Sequence, residues 1–199
     1  MKRSSLIGLA IVAFVFLVIG GTIASTYNRL ISLEQSVEGQ WAQVENAYQR
    51  RADLVPNLVE IVRGAAAHER ETLQAVTDAR AQVGRLDVGA AFEDPEALAR
   101  YQAAQEQLSG ALTRLLAVAE AYPQIRANEN FLALQSQLEG TENRVAVERM
   151  RFNEAAREFN TRRQSFPTNL FANMFGDRFD TKAYFEATAG AAEAPRIEF

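Results

Sequence analysis

The 199-residue chain contains no cysteine and only one histidine, His68. Without cysteine it can form neither a disulfide bond nor a thiolate metal site. A di-iron carboxylate bundle needs two Glu-x-x-His pairs, so a single histidine excludes that kind of site as well. The chain also lacks a P-loop, a Gly-x-Ser-x-Gly turn and a zinc motif. Phosphoryl transfer, acyl hydrolysis and zinc chemistry therefore have no candidate residues, and we expect a non-enzymatic protein without a cofactor or metal.

Positive charge is also scarce, since the chain has 21 Lys and Arg against 25 Asp and Glu, a net charge of -4. An acidic balance of this kind does not favour nucleic acid, so we expect no nucleic-acid partner. Lysine occurs only at Lys2 and Lys182, and the other basic residues are arginines. Arginine makes forked pairs with carboxylates, which suits helices that pack through polar flanks.

One long apolar run stands near the N-terminus, after a short tail of residues 1–5. It begins at Leu6, ends at Ala24 and reads LIGLAIVAFVFLVIGGTIA, without a charge. Its length matches the ~20 apolar residues that a helix needs to cross a bilayer. A cleaved signal has a shorter apolar core of ~7–15 residues. We therefore predict that residues 6–24 form a retained transmembrane helix, with the lipid bilayer as a partner.

The charges beside this run set the expected orientation. Lys2 and Arg3 precede the run, and only Arg29 follows it closely. Because positively charged flanks stay on the cytoplasmic side, this asymmetry favours an N-terminus inside the cell and a soluble domain outside the cytoplasm. The difference amounts to one or two charges.

From Tyr27 onwards the apolar residues recur at spacings of three and four, the pattern of coiled-coil-like helix seams. We predict that residues 25–165 form an antiparallel helical bundle. Pro56 allows two interpretations of its first part. Asp53 can cap a new helix with Pro56 in its first turn, which breaks the chain near residues 51–53. Alternatively, one kinked helix continues through Pro56, because the apolar spacing nearly continues. We favour the break, which gives four long helices instead of three.

Local signals define the remaining helices. The second helix extends to about Val83 and carries His68 on an apolar stripe, so we expect His68 to pack inside the bundle. A third helix starts at Asp94-Pro95-Glu96, with an N-cap, a proline at the first position and an acidic residue. A fourth helix begins near Asn128 and ends near Gln164. The expected fold class is all-α, with one N-terminal transmembrane helix ahead of the bundle.

Residues 166–199 form an aromatic-rich C-terminal tail with seven of the chain's aromatic side chains. A short amphipathic helix is predicted over residues 169–175, closed by Gly176. The rings either cap the open end of the bundle or contact lipid headgroups or a partner surface. Four separate helices would return this tail to the bilayer, whereas one continuous first helix would leave it at the far end of the bundle.

Two polar clusters are candidate interaction sites, one near Pro56 and one on the fourth helix. Such groups can form interhelical ion pairs that fix the register of a bundle, or they can offer a patch to a protein partner. The rings of the predicted short C-terminal helix add a third candidate surface. The full set of candidate interaction residues is Arg50, Arg51, Asp53, Glu139, Glu142, Arg144, Phe171 and Phe175.

A set of short sequence runs is spread in order over nearly the whole chain. It includes YNRL at residues 27–30, QRRADLVPNLV at 49–59, ANENF at 127–131, LQSQLEGTENR at 134–144, FPTN at 166–169, YF at 184–185 and IEF at 197–199. Together these runs resemble the LemA family of bacterial membrane-anchored proteins. The resemblance implies one N-terminal membrane helix in a bacterial inner membrane, a helical-bundle domain, and no established catalytic activity or cofactor.

The resemblance also bears on topology and role. Descriptions of the family place the short N-terminus outside the cell, opposite to the orientation that the flanking charges favour. A family member takes part in building magnetosome membranes, which indicates a scaffolding role. We therefore expect a single-pass membrane-anchored scaffold or adaptor that forms homo-oligomers and binds an unknown protein partner. The alternative is an accessory or sensor subunit of a membrane signalling or protease complex.

Overall fold

The computed structural model describes residues 3–66, 68–89 and 91–186. The IEF run at residues 197–199 and the end of the aromatic-rich tail lie outside these ranges. Within them every regular element is helical, so the predicted all-α fold class is confirmed. The elements are α1 (Arg3–Ala65), α2 (Arg70–Val83), α3 (Pro95–Ala121), α4 (Pro123–Arg126), α5 (Glu129–Gln164) and α6 (Thr168–Met174), with 3-10 turns at Ala91–Glu93 and Gly176–Phe179.

α1 runs without a break through Pro56, so the predicted helix break near residues 51–53 is wrong and the continuous helix is right. A proline inside a helix leaves the carbonyl four residues earlier without its usual partner. Here that carbonyl belongs to Ala52, and it accepts a hydrogen bond from Nε of Arg80 on α2 at 3.0 Å. Buried leucine and valine side chains on both sides of the proline hold the helix against the bundle.

Replacing Arg80 with alanine should destabilise the bundle by about 1 kcal/mol, because the Ala52 carbonyl then loses its donor. In a chain that also carries Pro56→Ala, Arg80→Ala should lower the stability much less, since residue 56 then donates its own backbone N–H to the Ala52 carbonyl. The two variants and their combination form a double-mutant cycle, read by urea unfolding in detergent micelles and far-UV circular dichroism. Equal effects of Arg80→Ala in both backgrounds would show that the guanidinium does not act through this carbonyl.

The chain turns instead between the end of α1 at Ala65 and the start of α2 at Arg70. His68 lies exposed in this turn, so the prediction that it packs on an apolar stripe is wrong. The apolar spacing continues across the turn, yet the apolar residues before the turn belong to α1 and those after it belong to α2. The predicted second helix is thereby divided, because its first half is the end of α1 and its second half is α2. Nearby, the hydroxyl of Tyr122 donates to the Glu69 carboxylate at 3.1 Å, which ties the turn to the end of α3.

The predicted starts of α3 and α5 are confirmed by their caps. Asp94 accepts the backbone N–H of Glu96 at 2.8 Å, with a proline at the first helical position. Asn128 caps α5 by accepting two backbone N–H groups of its first turn. These side chains satisfy donors that no helical carbonyl can reach. Gly176 follows α6 with a φ of 63°, the left-handed conformation that commonly ends helices.

The helices form an up-down-up-down bundle. α1 leads away from the apolar span, α2 returns part of the way, α3 leads away again and α5 runs back along α1. Arg29 and Glu158, 3.0 Å apart, join α1 to α5 near the span. α6 then packs beside Tyr27, whose ring centroid is 5.1 Å from that of Phe175. The expectation that a continuous first helix leaves the tail at the far end is wrong, because α2 supplies the missing return pass.

Buried apolar side chains form two clusters along the bundle. The membrane-proximal cluster is rich in aromatic rings and includes Trp41 and Phe152. The distal cluster is mostly aliphatic and includes Leu58 and Leu112. Arg51 lies on α1 between the positions that contribute to the two clusters, and it is itself buried. The core is therefore divided by a polar layer at the level of this arginine.

Candidate functional site

The N-terminal part of α1 is an exposed apolar surface. Its large side chains between residues 7 and 19 are apolar, and Leu17 and Phe16 are 75% and 70% exposed. The most apolar part of α1 has no buried residue. Among the described residues, α1 is the one helix long and apolar enough to cross a membrane. Such a helix is compatible with a lipid environment, because its exposed side chains are apolar and its backbone polar groups bond to each other within the helix.

Arg51 is the buried polar centre of the bundle, with 2% of its surface exposed. Its guanidinium reaches α3 and α5 at once. Nη1 donates to Ser109 Oγ at 2.9 Å and lies 2.9 and 3.1 Å from the two Glu142 carboxylate oxygens. Nη2 donates to the Gln105 backbone carbonyl at 3.1 Å and also to the Gln105 side-chain carbonyl. This arginine therefore joins three helices, as expected for an ion pair that fixes register.

Two tyrosines complete this polar layer. The Arg51 guanidinium lies over the Tyr48 ring, 5.0 Å from its centroid, and Tyr48 packs edge-on against Tyr101 at 5.3 Å. Burial raises the pKa of both phenols, so both stay neutral over the physiological range. The layer thus combines a cation and a carboxylate with neutral partners, which is chemistry suited to positioning helices.

A recess between α1 and α5, the α1–α5 groove, is lined by two of the predicted interaction residues. Its volume is about 430 Å³. Arg50 and Arg144 line it and are exposed, whereas Glu139, which is also exposed, is not one of its lining residues. Small side chains form much of its floor. The lining residues are Gln43, Asn46, Ala47, Arg50, Gln137, Gly140, Thr141 and Arg144. The structure therefore brings the two arginines together on one outer surface.

The other predicted interaction residues lie away from this groove or face inward. Asp53 is exposed and accepts a hydrogen bond from Gln49 Nε2 at 2.8 Å on the same helix. Phe171 and Phe175, at the short C-terminal helix, are half-buried. Phe175 packs against Tyr27 instead of pointing into solvent. A role of these residues in binding a partner stays a prediction.

Residues 180–186 form an extended segment, the C-terminal strap, which lies across α3 and α5. The sequence patterns did not predict it. Side-chain amides hold its backbone through pairs of hydrogen bonds. Asn160 accepts the Lys182 backbone N–H and donates to the Lys182 carbonyl, both at 2.8 Å. Asn153 does the same with Phe185, both at 2.9 Å. A third amide, on α3, holds the next residue in the same way. These amides satisfy backbone groups that belong to no helix.

Lys182 of the strap is buried, with 4% of its surface exposed. Its Nζ lies 3.1 Å from Glu93 and 3.5 Å from Glu34, as a buried cation requires. Two sequence signals could have located the strap. Asn153 and Asn160 stand two turns apart on one face of α5. Lys182 is also the one lysine in the chain after residue 2.

A buried carboxylate of α5 is paired as well. Glu148, 1% exposed, lies 3.0 Å from Arg144 Nε and 3.1 Å from Arg151 Nη1. Within the part of the chain that the structure describes, no three His, Cys, Asp or Glu side chains meet closely enough to hold a metal ion. Both pairs lie within α5, so they neutralise a buried carboxylate and support this helix.

Comparison with known proteins identifies the family. The family model described as LemA family matches residues 40–199, which is most of the chain. Magnetosome proteins MamQ 1 and MamQ 2 of Paramagnetospirillum magneticum are each 27% identical over 195 residues, covering 89% of this chain and 69% of the relative. Magnetosome protein MamQ of Magnetospirillum gryphiswaldense is 26% identical over 200 residues, covering 92% of this chain and 71% of the relative. The chain therefore belongs to the LemA family and is a membrane-associated helical protein of that type.

Proposed function

We propose that this protein is a single-pass membrane-anchored scaffold that self-associates through the α1–α5 groove and carries out no catalytic step. The observation that supports this most directly is the groove, an exposed recess of about 430 Å³ on the helix that also forms the span. α1 is one helix from the span to Ala65, so the groove stands at a fixed height above the bilayer. The relatives named as magnetosome proteins support a role in organising a membrane.

The floor of the groove suits close packing against a helix. Ala47, Gly140 and Thr141 are small, and a Cβ placed on Gly140 would meet nothing within 4 Å. The distance between two packed helices depends on the side chains at their contact, and small side chains permit the closest approach. A helix of another molecule can therefore lie in this recess.

Charge complementarity favours a second copy of the chain as the occupant. Arg50 and Arg144 give the groove two basic side chains, of which Arg144 is already paired with Glu148 through Nε, whereas the protein as a whole has a net charge of -4. The anchor holds every copy at the same height in the membrane. Glu139 is exposed on α5 about 7.5 Å from Arg144 along the helix axis and about 140° around it, so it faces away from the groove. Two copies packed side by side can therefore bring the carboxylate of one to the arginine of the other.

We assign the protein to the bacterial inner membrane, with the bundle outside the cytoplasm. Lys2 and Arg3 before the span outnumber Arg29 after it, which supports this orientation. Anchoring in one membrane also confines the copies to a thin layer and raises their effective concentration for each other. A C-terminal reporter that is active only outside the cytoplasm tests the orientation, and an inactive reporter on a stable protein would contradict it.

Site-directed photocrosslinking tests the self-association, because the chain has no cysteine of its own. Gly140→Cys places one thiol in the groove, and Gly110→Cys places one on the exposed surface of α3. At both positions the added Cβ meets nothing within 4 Å. Each full-length variant is labelled with benzophenone maleimide and irradiated in native membranes. We expect Gly140→Cys to give a product of twice the protein's mass that contains peptides of this chain alone, and Gly110→Cys to give none.

Three other results would contradict the proposal. A Gly140→Cys product that contains a different protein would favour an accessory or sensor subunit of a larger membrane complex. Equal dimer yields from both thiols would indicate random collisions in the membrane instead of contact at the groove. Absence of a dimer at both positions, with both variants labelled and folded, would show that this face does not meet a second copy.

A further inference from the structure

The region of α6 presents a row of exposed apolar side chains. Phe166, Leu170 and Met174 are 79%, 55% and 70% exposed. Leu170 and Met174 are four residues apart and share one face of α6, and Phe166 stands in the turn two residues before this helix. The buried residues of α6 are Thr168 and Ala172, on its other side. α6 is therefore amphipathic, with its large apolar residues turned away from its own bundle.

The register of α5 against α1 places this row at the membrane. The two helices are antiparallel, and Arg29 of α1 pairs with Glu158 of α5 at 3.0 Å. Six residues further along α5, its last residue Gln164 is level with Ile23, inside the apolar run. α6 begins only four residues after Gln164. The apolar row therefore stands where the span leaves the bilayer.

Direct contacts give α6 the same position. The Phe175 ring lies 5.1 Å from that of Tyr27, and a cavity of about 560 Å³ opens between Phe175 and the Gly20, Ile23 and Ala24 positions of the span. Through Phe175 this cavity joins the span to the C-terminal end of α6. Arg178 also lines this cavity, with 54% of its side chain exposed and its Nη2 3.7 Å from a Glu34 carboxylate oxygen. Long basic side chains of this kind reach the phosphate layer from the edge of the acyl region.

We propose that α6 lies in the boundary between headgroups and acyl chains of the bilayer that α1 crosses, with Phe166, Leu170 and Met174 inserted into lipid. An amphipathic helix in such a position buries its apolar face ~5–10 Å deep. Lipid is the occupant because the row lies level with the end of a span that already requires lipid. This second contact fixes the tilt and rotation of the bundle, which a single helix of given length leaves free. The inference rests on the proposed span and not on the proposed self-association.

Fluorescence quenching by lipid-borne nitroxides tests this position. Leu170→Cys and Met174→Cys are each labelled with an NBD fluorophore, and the full chain is placed in phosphatidylcholine–phosphatidylglycerol nanodiscs. The matched controls are Leu132→Cys and Met150→Cys, which are 51% and 64% exposed and lie on α5 away from the span. Nitroxide-labelled lipid should roughly halve the emission at residues 170 and 174, and the emission there should be blue-shifted, with no quenching at 132 and 150.

Equal, weak quenching at all four positions would overturn the proposal. So would blue-shifted emission at 170 and 174 without quenching by the lipid nitroxide, because a protein surface would then cover the row. Circular dichroism of each labelled variant shows that the bundle is folded, as expected for substitutions at exposed positions. The photocrosslink at Gly140 reads the groove alone, so failure of self-association and failure of the lipid contact are separate results.

Discussion

Replacing Trp41 with alanine should lower the free energy of unfolding of the bundle by about 3–5 kcal/mol. The indole is 2% exposed and packs against Phe92, Tyr101 and Phe152, with ring centroids 5.6, 5.9 and 5.3 Å away. Phe185 of the strap stacks on it at 5.8 Å. Alanine would leave a cavity at the centre of these rings. The rings cannot move in to fill it, because they belong to four separate segments. Urea unfolding of the full chain in detergent micelles, followed by far-UV circular dichroism, measures the loss.

Two control variants isolate the contribution of the ring. Trp41→Phe keeps an aromatic ring but loses the hydrogen bond from Nε1 to the Val88 carbonyl at 3.0 Å, so it should cost about 1–2 kcal/mol. Leu132→Ala removes an apolar side chain that is 51% exposed, and it should change stability by less than about 0.5 kcal/mol. A loss for Trp41→Ala as small as that for Leu132→Ala would contradict the central place of the indole in the core.

Trp41 also shows how much of the fold local pattern can predict. Its burial follows from the spacing of apolar residues along α1. This spacing predicts which face of the helix is packed, but not which residues pack against it. The starts of α3 and α5 were predictable for a related reason, because Asp94 and Asn128 cap donors only two or three residues away. The rings that surround Trp41 were not predictable, since they come from segments whose arrangement depends on the turns between helices.

The wrong predictions depend on partners far away in the chain. Around Pro56 the local pattern indicates a helix start, and nothing local shows that Arg80 will supply the Ala52 carbonyl with a donor 28 residues away. The turn between α1 and α2 carries no comparable signal. The candidate site shows the same limit, because Arg50 and Arg144 belong to separate sequence clusters. They share one groove only because α5 packs antiparallel to α1, and their binding role stays a prediction.

Replacing Arg51 with methionine should lower the free energy of unfolding by about 3–5 kcal/mol, because the groups around the guanidinium would remain buried without their donor. Gln105 is 3% exposed and accepts from Arg51 through its side chain and its backbone carbonyl. The Glu142 side chain is 39% exposed, so water still reaches this carboxylate, and we expect a loss near the lower end of the range. The same urea unfolding in detergent micelles measures it.

Two further variants distinguish pairing from shape. Arg51→Lys keeps the charge but cannot donate in a forked geometry to α3 and α5, so it should lose about 1–2 kcal/mol. The triple variant Arg51→Met, Gln105→Leu, Glu142→Leu removes the guanidinium together with its amide and carboxylate partners. It should recover most of the loss, because of the side chains bonded to Arg51 only the Ser109 hydroxyl is then left without its partners.

If the triple variant recovers stability, the layer serves chiefly to fix the register of α1 against α5. That register also shapes the α1–α5 groove, since its two walls belong to these two helices. The Gly140→Cys photocrosslink should therefore weaken in the triple variant even where its stability returns. A triple variant as unstable as Arg51→Met would contradict this account, because the loss would then come from the volume and shape of the arginine and not from the partners that it leaves behind.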